Sequence, residues 1–501
     1  MRILYLDLDA LTPSHLSCYG YSRTTSPNID ALAARGTRCT NVYAADAPCL
    51  PSRTGFYSGR FGIQTGVVNH GGRAAQPKIE GSGRGFRDAF DTDGLAGRLQ
   101  QAGFHTAMVS PFGQRHAAWH FYAGFNEIHN SGLGGMDAVE DTMPTLERWL
   151  DGNAERDRWY LHVNFWDIHT PYRWPESYGN QFEHDPLPAW MDQAFLDRWI
   201  SKTGPHSPLD VGMYIDGTYD GRFPLEPERI DTLERLKQYI DGYDTAIRYV
   251  DDQVGRVLER LEAAGVLDDT LVIVSADHGE NQGELGIFGE HGTADQGTCN
   301  IPMVVAGPGV AAGRVDDALH YQLDLAPTLL EMLGREVPEI YDGRSYLGRL
   351  TEQGGDTADH EELVVSQCSH VCQRSVRFND AGHAWLYIRT YHDGLHLFPN
   401  EMLFDLNVDP HEQNDVAADH PAVLREAAYR LMAWHDAQMH KMPQDKVDPL
   451  WTVIQEGGPF HARVDGSSNQ PPSLKGYVER LESTGRAEGA AVLRERYPAW
   501  V

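Results

Sequence analysis

The sequence predicts an α/β protein with a central, mostly parallel sheet flanked by helices and a smaller C-terminal α+β subdomain. Over the first three hundred residues, strand-like and helix-like segments alternate, which is the pattern of a layered α/β domain. Residues suited to chemistry directly follow several of these strands, as they do in open parallel sheets. Beyond residue 362 the pattern changes to short strands and then a helix.

The elements of the first part follow in order. Residues 3–9 form a predicted buried strand, and Ser26-Pro27-Asn28 starts a helix that ends at Gly36. The later segments are helix 95–102 before strand 104–109, helix 139–150 before strand 160–166, amphipathic helix 226–264 before strand 270–275, and strand 302–306. Residues 171–227 are rich in Pro, Gly, Trp and Tyr, and we expect an irregular insertion that helps to form a substrate pocket.

The C-terminal part has its own organisation. Strands are predicted at 363–367, 375–378 and 383–390, and a helix at 421–438, after a polar junction at 351–362. We therefore expect a main domain over residues 1–350, a subdomain over 363–440 and an extension over 441–501. The extension is a candidate interface for a homo-oligomer.

Charge and cysteine content exclude several classes of function. The formal net charge of −30 argues against nucleic acid or an anionic membrane as a partner, and an anionic substrate needs local positive charge at the site. The chain has no apolar run of membrane-spanning length and no signal-like segment at its start, so we expect a cytoplasmic protein. Six scattered cysteines do not predict a disulfide scaffold, and we interpret Cys368 and Cys372 as buried thiols rather than metal ligands.

Three strand ends carry residues suited to chemistry. Asp9 ends the first strand, Asp167 and His169 follow the strand at 160–166, and Asp277 and His278 follow the strand at 270–275. Because the carboxyl ends of parallel strands share one edge of the sheet, we expect a site there.

The strongest motif lies at residues 47–60. Cys49 stands just before a predicted helix that opens at Pro51 and closes at Gly59, where the helix dipole favours anions, and Arg53 follows one turn later. A lone Cys in this place would be interpreted as the cap of a packed helix. Here, however, Cys-x-Pro-Ser-Arg is followed by Thr-Gly-x-x-Ser-Gly-Arg, which resembles the signature of the type I sulfatase family, in the alkaline-phosphatase-like superfamily.

The resemblance covers roughly residues 1–440. It implies that a formylglycine-generating enzyme oxidises Cys49 and that the hydrated aldehyde is the nucleophile. Further segments that match the family are 8–11, 15–20, 26–36, 275–280 and 404–412.

The resemblance also implies a divalent metal site. Asp9, Asp277, His278 and the modified Cys49 would hold Ca²⁺, with Mn²⁺ or Zn²⁺ as alternatives that an imidazole ligand tolerates. The family often has a second Asp after the first, and here that position is Ala10. Asp7 lies on the same strand face as Asp9, and we expect it to support the ligands from behind rather than to replace the missing one.

Other site residues are carried over with departures from the family pattern. His169 matches a histidine that contacts the sulfate and the leaving group, and His291 stands where many relatives have Lys; together with Cys49 and Arg53 they are the predicted catalytic residues. A second Lys of the family is absent from residues 109–116, where Arg115 or His116 either replaces it in substrate binding or is a solvated loop residue. Asn69 resembles a polar substrate contact of phosphonate hydrolases.

The sequence thus predicts a sulfuric ester hydrolase that acts on a small-molecule or oligosaccharide sulfate ester of a sugar or aryl alcohol. The missing second Asp also resembles phosphonate monoester hydrolases, so phosphonate monoester or phosphodiester hydrolysis is the alternative. A non-catalytic relative that binds anions or sugars is a third hypothesis, which the intact Cys49, Arg53 and metal ligands disfavour.

Overall fold

The computed structural model describes residues 1–79, 89–135, 137–207, 209–210, 221–352, 354, 359–442, 447–460, 474–498 and 501. Parts of the predicted insertion (208 and 211–220), junction (353 and 355–358) and extension (443–446, 461–473 and 499–500) lie outside the described residues.

A large sheet forms the centre of the protein. Its eight strands run in the order β5-β4-β6-β1-β7-β8-β2-β9, and only β8 among these strands is antiparallel to its neighbours. The mostly parallel sheet predicted from the sequence is therefore confirmed. The strand bounds are β1 Arg2–Leu8, β2 Thr37–Tyr43, β4 His105–Val109, β5 Glu127–His129, β6 Trp159–Phe165, β7 Thr270–Ser275, β8 Asn300–Ala306 and β9 Arg314–Tyr321.

A second, five-stranded sheet has the order β13-β12-β11-β10-β3. Its strands are β3 Asp46–Ala47, β10 Glu362–Gln367, β11 Cys372–Asp380, β12 His383–His392 and β13 Glu401–Asp405. Strand β3 comes from the N-terminal part of the chain and pairs in parallel with β10, so that Ala47 faces Gln367. The small sheet therefore holds the segment that leads directly into Cys49.

Helices cover the sheets. The two longest, α9 and α13, span 31 and 21 residues, and no helix in the described ranges is long and apolar enough to cross a bilayer. The helices are α1 Pro27–Ala34, α2 Cys49–Ser58, α3 Gly62–Thr65, α4 Ala89–Thr92, α5 Leu95–Gln101, α6 Phe112–Arg115, α7 Val139–Asn153, α8 Gln193–Trp199, α9 Leu233–Ala263, α10 Gln296–Cys299, α11 Leu325–Met332, α12 Leu347–Leu350, α13 Pro421–Lys441, α14 Pro449–Gln455, α15 Leu474–Ser483 and α16 Ala487–Arg496.

Burial explains the central strands and capping explains the start of α9. Every residue of β1, β6, β7 and β8 is buried, which is expected for strands that helices cover on both faces.

Helix α9 begins at Leu233, seven residues after the predicted start, because the Thr232 side chain accepts a hydrogen bond from Arg235 N and caps the helix there. The prediction followed the apolar periodicity and overlooked this cap.

Candidate active site

Two adjacent parallel strands bring the first acidic residues together. Strand β1 pairs with β7 so that Asp7 lies opposite Ser275, and Asp9 and Asp277 each follow the end of their strand. His278 Nε2 lies 3.2 Å from Asp277 Oδ2 and 3.8 Å from Asp9 Oδ1. All of these side chains are buried. The expected cluster at the carboxyl edge of the sheet is present.

Helix α2 carries Cys49 to the same place. The helix begins at Cys49 itself, two residues earlier than predicted, so this residue belongs to the first helical turn. Cys49 Sγ lies 3.0 Å from His278 Nε2. The Ser52 hydroxyl donates to the backbone oxygen of Asp277 at 2.5 Å and thereby ties the helix to the end of β7.

Arg53 joins three carboxylates. Its guanidinium donates from Nε to Asp7 Oδ2, from Nη2 to Asp9 Oδ2 and from Nη1 to Asp277 Oδ2, at 2.7 to 2.8 Å. Arg53 is 2% exposed, and a buried charge of this kind is stable only when it is paired and hydrogen-bonded. Three carboxylates around one guanidinium leave an excess of negative charge, which a divalent cation would balance.

The residues present fit such a cation. Asp9, Cys49, Asp277 and His278 each offer one ligand atom within 4.8 Å of the others. Asp9 Oδ1 is buried and accepts no hydrogen bond from the described residues, although its other oxygen is bound to Arg53. A buried carboxylate oxygen without a partner is the feature expected at an ion-binding position.

The bend that aims Asp9 uses the residue that departs from the family pattern. Ala10 has φ +62°, a left-handed conformation that Asp or Asn adopts more readily than Ala. Ala10 N donates to Asp277 Oδ1 at 3.3 Å, and the hydroxyl of Tyr243 donates to Ala10 O at 2.8 Å. These two contacts hold the bend without a second carboxylate.

Burial controls the protonation of the site. It raises the pKa of the Cys49 thiol well above its ordinary value, and the charges of Asp9 and Asp277 raise it further. Burial also raises the pKa of Asp277 well above its ordinary value, although the charge of Arg53 lowers it; the charges of Asp9 and Asp7 add to the rise. The pKa of His278 is lowered well below its ordinary value by burial and by the charge of His291. The thiol is therefore protonated, and the imidazole is in the neutral form that binds metals.

His169 and His291 complete the histidine cluster. The His291 ring stacks on His278 with centroids 4.4 Å apart, and the His169 ring lies 4.7 Å from His291. His169 Nδ1 lies 2.5 Å from Thr170 O, so Nδ1 is the donor and Nε2 is the nitrogen left for a ligand. Burial lowers the pKa of His169 well below its ordinary value, and the charges of His291 and Arg115 lower it further.

Three buried nitrogens near Cys49 have no hydrogen-bond partner among the described residues: Asn69 Nδ2, Arg115 Nη1 and His116 Nε2. The neighbour of Asn69, His70, accepts a hydrogen bond from Leu50 N at the start of α2, and its ring lies 4.8 Å from His116. The Arg115 guanidinium lies 3.9 Å from the Trp166 ring, which stacks on His169. The nitrogens without partners on Arg115 and His116 are thus buried, although both side chains are partly exposed.

A sequence model of the family described as Sulfatase matches residues 2–335, about two thirds of the chain. The chain belongs to the sulfatase family. Among curated relatives, the uncharacterized sulfatase YidJ of Escherichia coli K12 is 25% identical over 478 residues, covering 90% of this sulfatase and 88% of the relative. The N-acetylglucosamine-6-O-sulfatase of Bacteroides thetaiotaomicron is 24% identical over 498 residues and covers 83% and 82%.

Solved structures share the fold of this sulfatase. A protein in complex with its substrate D-glucosamine-2-N,6-O-disulfate matches with a TM-score of 0.68 and 20% identity, covering 89% of this sulfatase and 99% of that chain. The phosphonate monoester hydrolase of Agrobacterium radiobacter matches with a TM-score of 0.64 and 21% identity, covering 87% and 96%. The predicted α/β fold and the prediction of a sulfatase enzyme are confirmed.

Asp167, at one of the three predicted strand ends, contacts a helix rather than the carboxylate cluster. Its Oδ1 accepts a hydrogen bond from Val139 N at the start of α7.

Conversely, the sulfatase places residues in the site that the sequence did not single out. Glu280 Oε2 lies 3.5 Å from His291 Nδ1, and the His370 ring lies 5.5 Å from the His291 ring. Glu280 is part of the matched segment after β7, whereas nothing in the sequence around His370 marks it.

Proposed function

We propose that this sulfatase hydrolyses the sulfate monoester of a sugar or aryl alcohol, with a formylglycine made from Cys49 as nucleophile and a divalent metal, Ca²⁺ before Mn²⁺ or Zn²⁺, as cofactor. The observation that carries the proposal is the placement of Cys49 Sγ within 4.8 Å of ligand atoms from Asp9, Asp277 and His278. A nucleophile at this point can approach a sulfur atom whose anionic oxygens would be neutralised by a cation that the same cluster holds.

Asp9, Asp277, His278 and the residue at position 49 would hold the metal. Bound there, a divalent cation would neutralise charge on the ester and lower the pKa of a neighbouring hydroxyl. Arg53 holds the two ligand carboxylates by one oxygen each, which leaves Asp9 Oδ1 for the ion, while Asp277 Oδ1 also accepts a hydrogen bond from Ala10 N. Asp7 contacts both Arg53 and His162, which supports the prediction that it supports the metal ligands without being one of them.

The thiol of Cys49 is a poor nucleophile in this site, because burial raises its pKa and keeps it protonated. Oxidation by a formylglycine-generating enzyme would supply a hydrated aldehyde, of which one hydroxyl attacks sulfur and the other later allows sulfate to be expelled. Replacing Cys49 with Ser would remove this second hydroxyl and block turnover after the first step.

The three nitrogens without partners suit the sulfate group. Asn69 Nδ2, Arg115 Nη1 and His116 Nε2 are all able to donate, and an anionic ester would satisfy donors that are otherwise buried at a cost in free energy. Arg115 also supplies the positive charge that a chain with a net charge of −30 needs at a site for anions.

His169 and His291 are proposed as the proton donors to the departing alcohol. Both rings lie in the cluster that includes His278, and the Nδ1 contact of His169 with Thr170 O fixes which nitrogen faces a ligand. The entering anion would raise the pKa of these imidazoles, because an opposite charge nearby favours the protonated form.

A second candidate is a phosphonate monoester or phosphodiester hydrolase on the same scaffold. Ala10 favours it, since the position of a second carboxylate ligand is apolar. Assays of 4-nitrophenyl sulfate, phenylphosphonate monoester and phosphodiester in parallel test both candidates. We expect the highest kcat/KM for the sulfate ester, and a higher value for the phosphonate would overturn the proposal.

A further inference from the structure

Helices α15 and α16 form a C-terminal pair that folds back on its own chain. Their apolar side chains make a buried cluster with Leu395, which lies between β12 and β13, and this cluster is separate from the core of the main sheet. A Cβ at Gly489 of α16 would lie 1.9 Å from Thr203 Oγ1, so the pair also closely approaches the segment around residue 203. The helix pair therefore packs on two segments, 203–210 and 393–397.

Hydrogen bonds from the helix pair fix the first segment. Arg486 is buried, and it donates from Nη1 to Gly204 O at 2.7 Å and from Nη2 to Asp210 Oδ2 at 2.8 Å. The hydroxyl of Tyr477 accepts a hydrogen bond from Gly204 N at 2.9 Å. Buried backbone groups require partners, and the helix pair supplies the partners of both backbone groups of Gly204.

The next residue of this segment contacts the loop that carries His291. Phe288 N donates to Pro205 O at 2.9 Å, and Asn281 N donates to Glu290 O at 2.8 Å. His291 follows directly after these two contacts. The position of its backbone therefore depends on segment 203–210, which the helix pair holds in place.

The second segment reaches the same loop through a side chain. The Tyr497 hydroxyl, just after α16, donates to Asp393 Oδ1 at 3.3 Å. Three residues later, His396 Nε2 lies 3.0 Å from Glu290 Oε2, and the other oxygen, Oε1, lies 2.6 Å from His370 Nδ1. Both segments that the helix pair contacts thus meet the loop at residues 288–291.

We propose that Tyr477 and Arg486 are positioning residues for His291, which act through the contact of Pro205 with Phe288. The inference rests on the proposed function, in which His291 donates a proton to the departing alcohol. Proton transfer requires the imidazole within hydrogen-bond reach of the alcohol oxygen, and a misplacement of about 1 Å can cost about 100-fold in rate. The helix pair, which lies beyond the residues that the family model matches, thus contributes to the rate of the reaction.

Two variants remove the two contacts with Gly204 separately. Tyr477→Phe removes the hydroxyl that accepts from Gly204 N, and Arg486→Gln removes the guanidinium that donates to Gly204 O. Arg494→Gln is the matched control, because Arg494 pairs with Glu482 inside the helix pair and both side chains are nearly half exposed.

The first measurement is amide hydrogen exchange of the loop, followed by mass spectrometry on peptides that cover residues 285–291. We expect the Phe288 amide to exchange about tenfold faster in Tyr477→Phe and in Arg486→Gln, because the hydrogen bond to Pro205 opens more often when one hydrogen bond to Gly204 is lost. Arg494→Gln should exchange like the wild-type protein. Unchanged exchange in both variants would overturn the inference.

The second measurement separates positioning from a loss of stability. In fully folded protein we expect Tyr477→Phe to lower kcat about tenfold with KM nearly unchanged, because the contacts proposed for the sulfate group remain. In a His291→Gln background, Tyr477→Phe should change kcat less than about twofold, since residues that act through one group are not additive.

An equal loss of kcat in both backgrounds would show that Tyr477 acts independently of His291 and would refute the positioning role. Failure of the proposed function has a different signature, namely no sulfate release from the wild-type protein. In that event the exchange rates alone still decide whether the helix pair holds the loop of His291.

Discussion

Replacing Arg53 with Met tests whether the carboxylate cluster holds an ion. The variant keeps an unbranched apolar stem in place of the inner part of the side chain and removes the charge that Asp7, Asp9 and Asp277 share at 2.7 to 2.8 Å. Removing one partner from a buried ion pair costs about 3–5 kcal/mol, because the remaining charges stay buried without compensation. Arg374→Met is the control, since Arg374 makes an equally buried ion pair with Asp448 outside the site.

The loss of stability converts into a measurable change in Tm. Unfolding entropy is about 2.1 cal/mol/K per residue near 60 °C, so a chain of 501 residues that unfolds as one unit has an unfolding entropy of about 1 kcal/mol/K. In EDTA, we therefore expect both variants to lose about 3–5 °C in Tm, measured by differential scanning calorimetry.

Added Ca²⁺ should separate the two variants. In Arg53→Met the ion replaces the missing positive charge and should recover at least half of the lost Tm, whereas in Arg374→Met it should give only the shift seen for the wild-type protein. Equal Ca²⁺-induced shifts in all three proteins would refute the reasoning, because the carboxylates of Asp9 and Asp277 would then not contact the ion.

The remaining predictions concern catalysis and ion affinity. Cys49→Ser should abolish sulfate release measured by ion chromatography, while Cys299→Ser, at a buried thiol outside the site, should retain it. Ala10→Asp should tighten Ca²⁺ binding in calorimetry at least tenfold, because the variant adds a carboxylate and because Asp adopts the left-handed backbone conformation of residue 10 more readily than Ala. Unchanged affinity would count against the metal site. Arg115→Gln should raise KM about 10- to 150-fold through the loss of a charged hydrogen bond, and an unchanged KM would remove Arg115 from the sulfate position. Burial lowers the pKa of His169, so the protonated fraction of this imidazole grows as pH falls, and kcat/KM should rise from pH 8 towards pH 6. The variant His291→Lys should remain active at higher pH than the wild type. A pH profile identical to that of the wild type would contradict the role of His291.

Local patterns were enough to predict much of the main sheet. Strand β7 has the predicted bounds, because an apolar run between a helix and Asp277 has few other interpretations. Strands β2 and β9 were not predicted, since Thr37–Tyr43 and Arg314–Tyr321 mix polar and apolar residues. Both lie towards one edge of the sheet, where one-sided burial weakens the sequence signal.

Part of the candidate site could likewise be predicted from local sequence motifs, and part of it could not. Asp9, Cys49, Asp277 and His278 lie in short motifs, and their proximity follows from the shared edge of a parallel sheet. The contact of His370 with Glu290 could not be predicted, because it depends on how the small sheet docks on the large one. Sequence spacing carries no information on that docking, because three strands (β8, β9 and β10) and three helices (α10, α11 and α12) lie between residues 290 and 370 along the chain.

The parallel pairing of β3 with β10 has a consequence for the order of events during synthesis. Residues 46 and 47 precede Cys49 by three and two positions, while their partners at 366–367 leave the ribosome more than three hundred residues later. In the folded chain Cys49 is 1% exposed, so the active site of a second protein cannot reach its sulfur. Any enzyme that oxidises this side chain must therefore act on the nascent or unfolded polypeptide, and a chain that folds first would be locked in the thiol form.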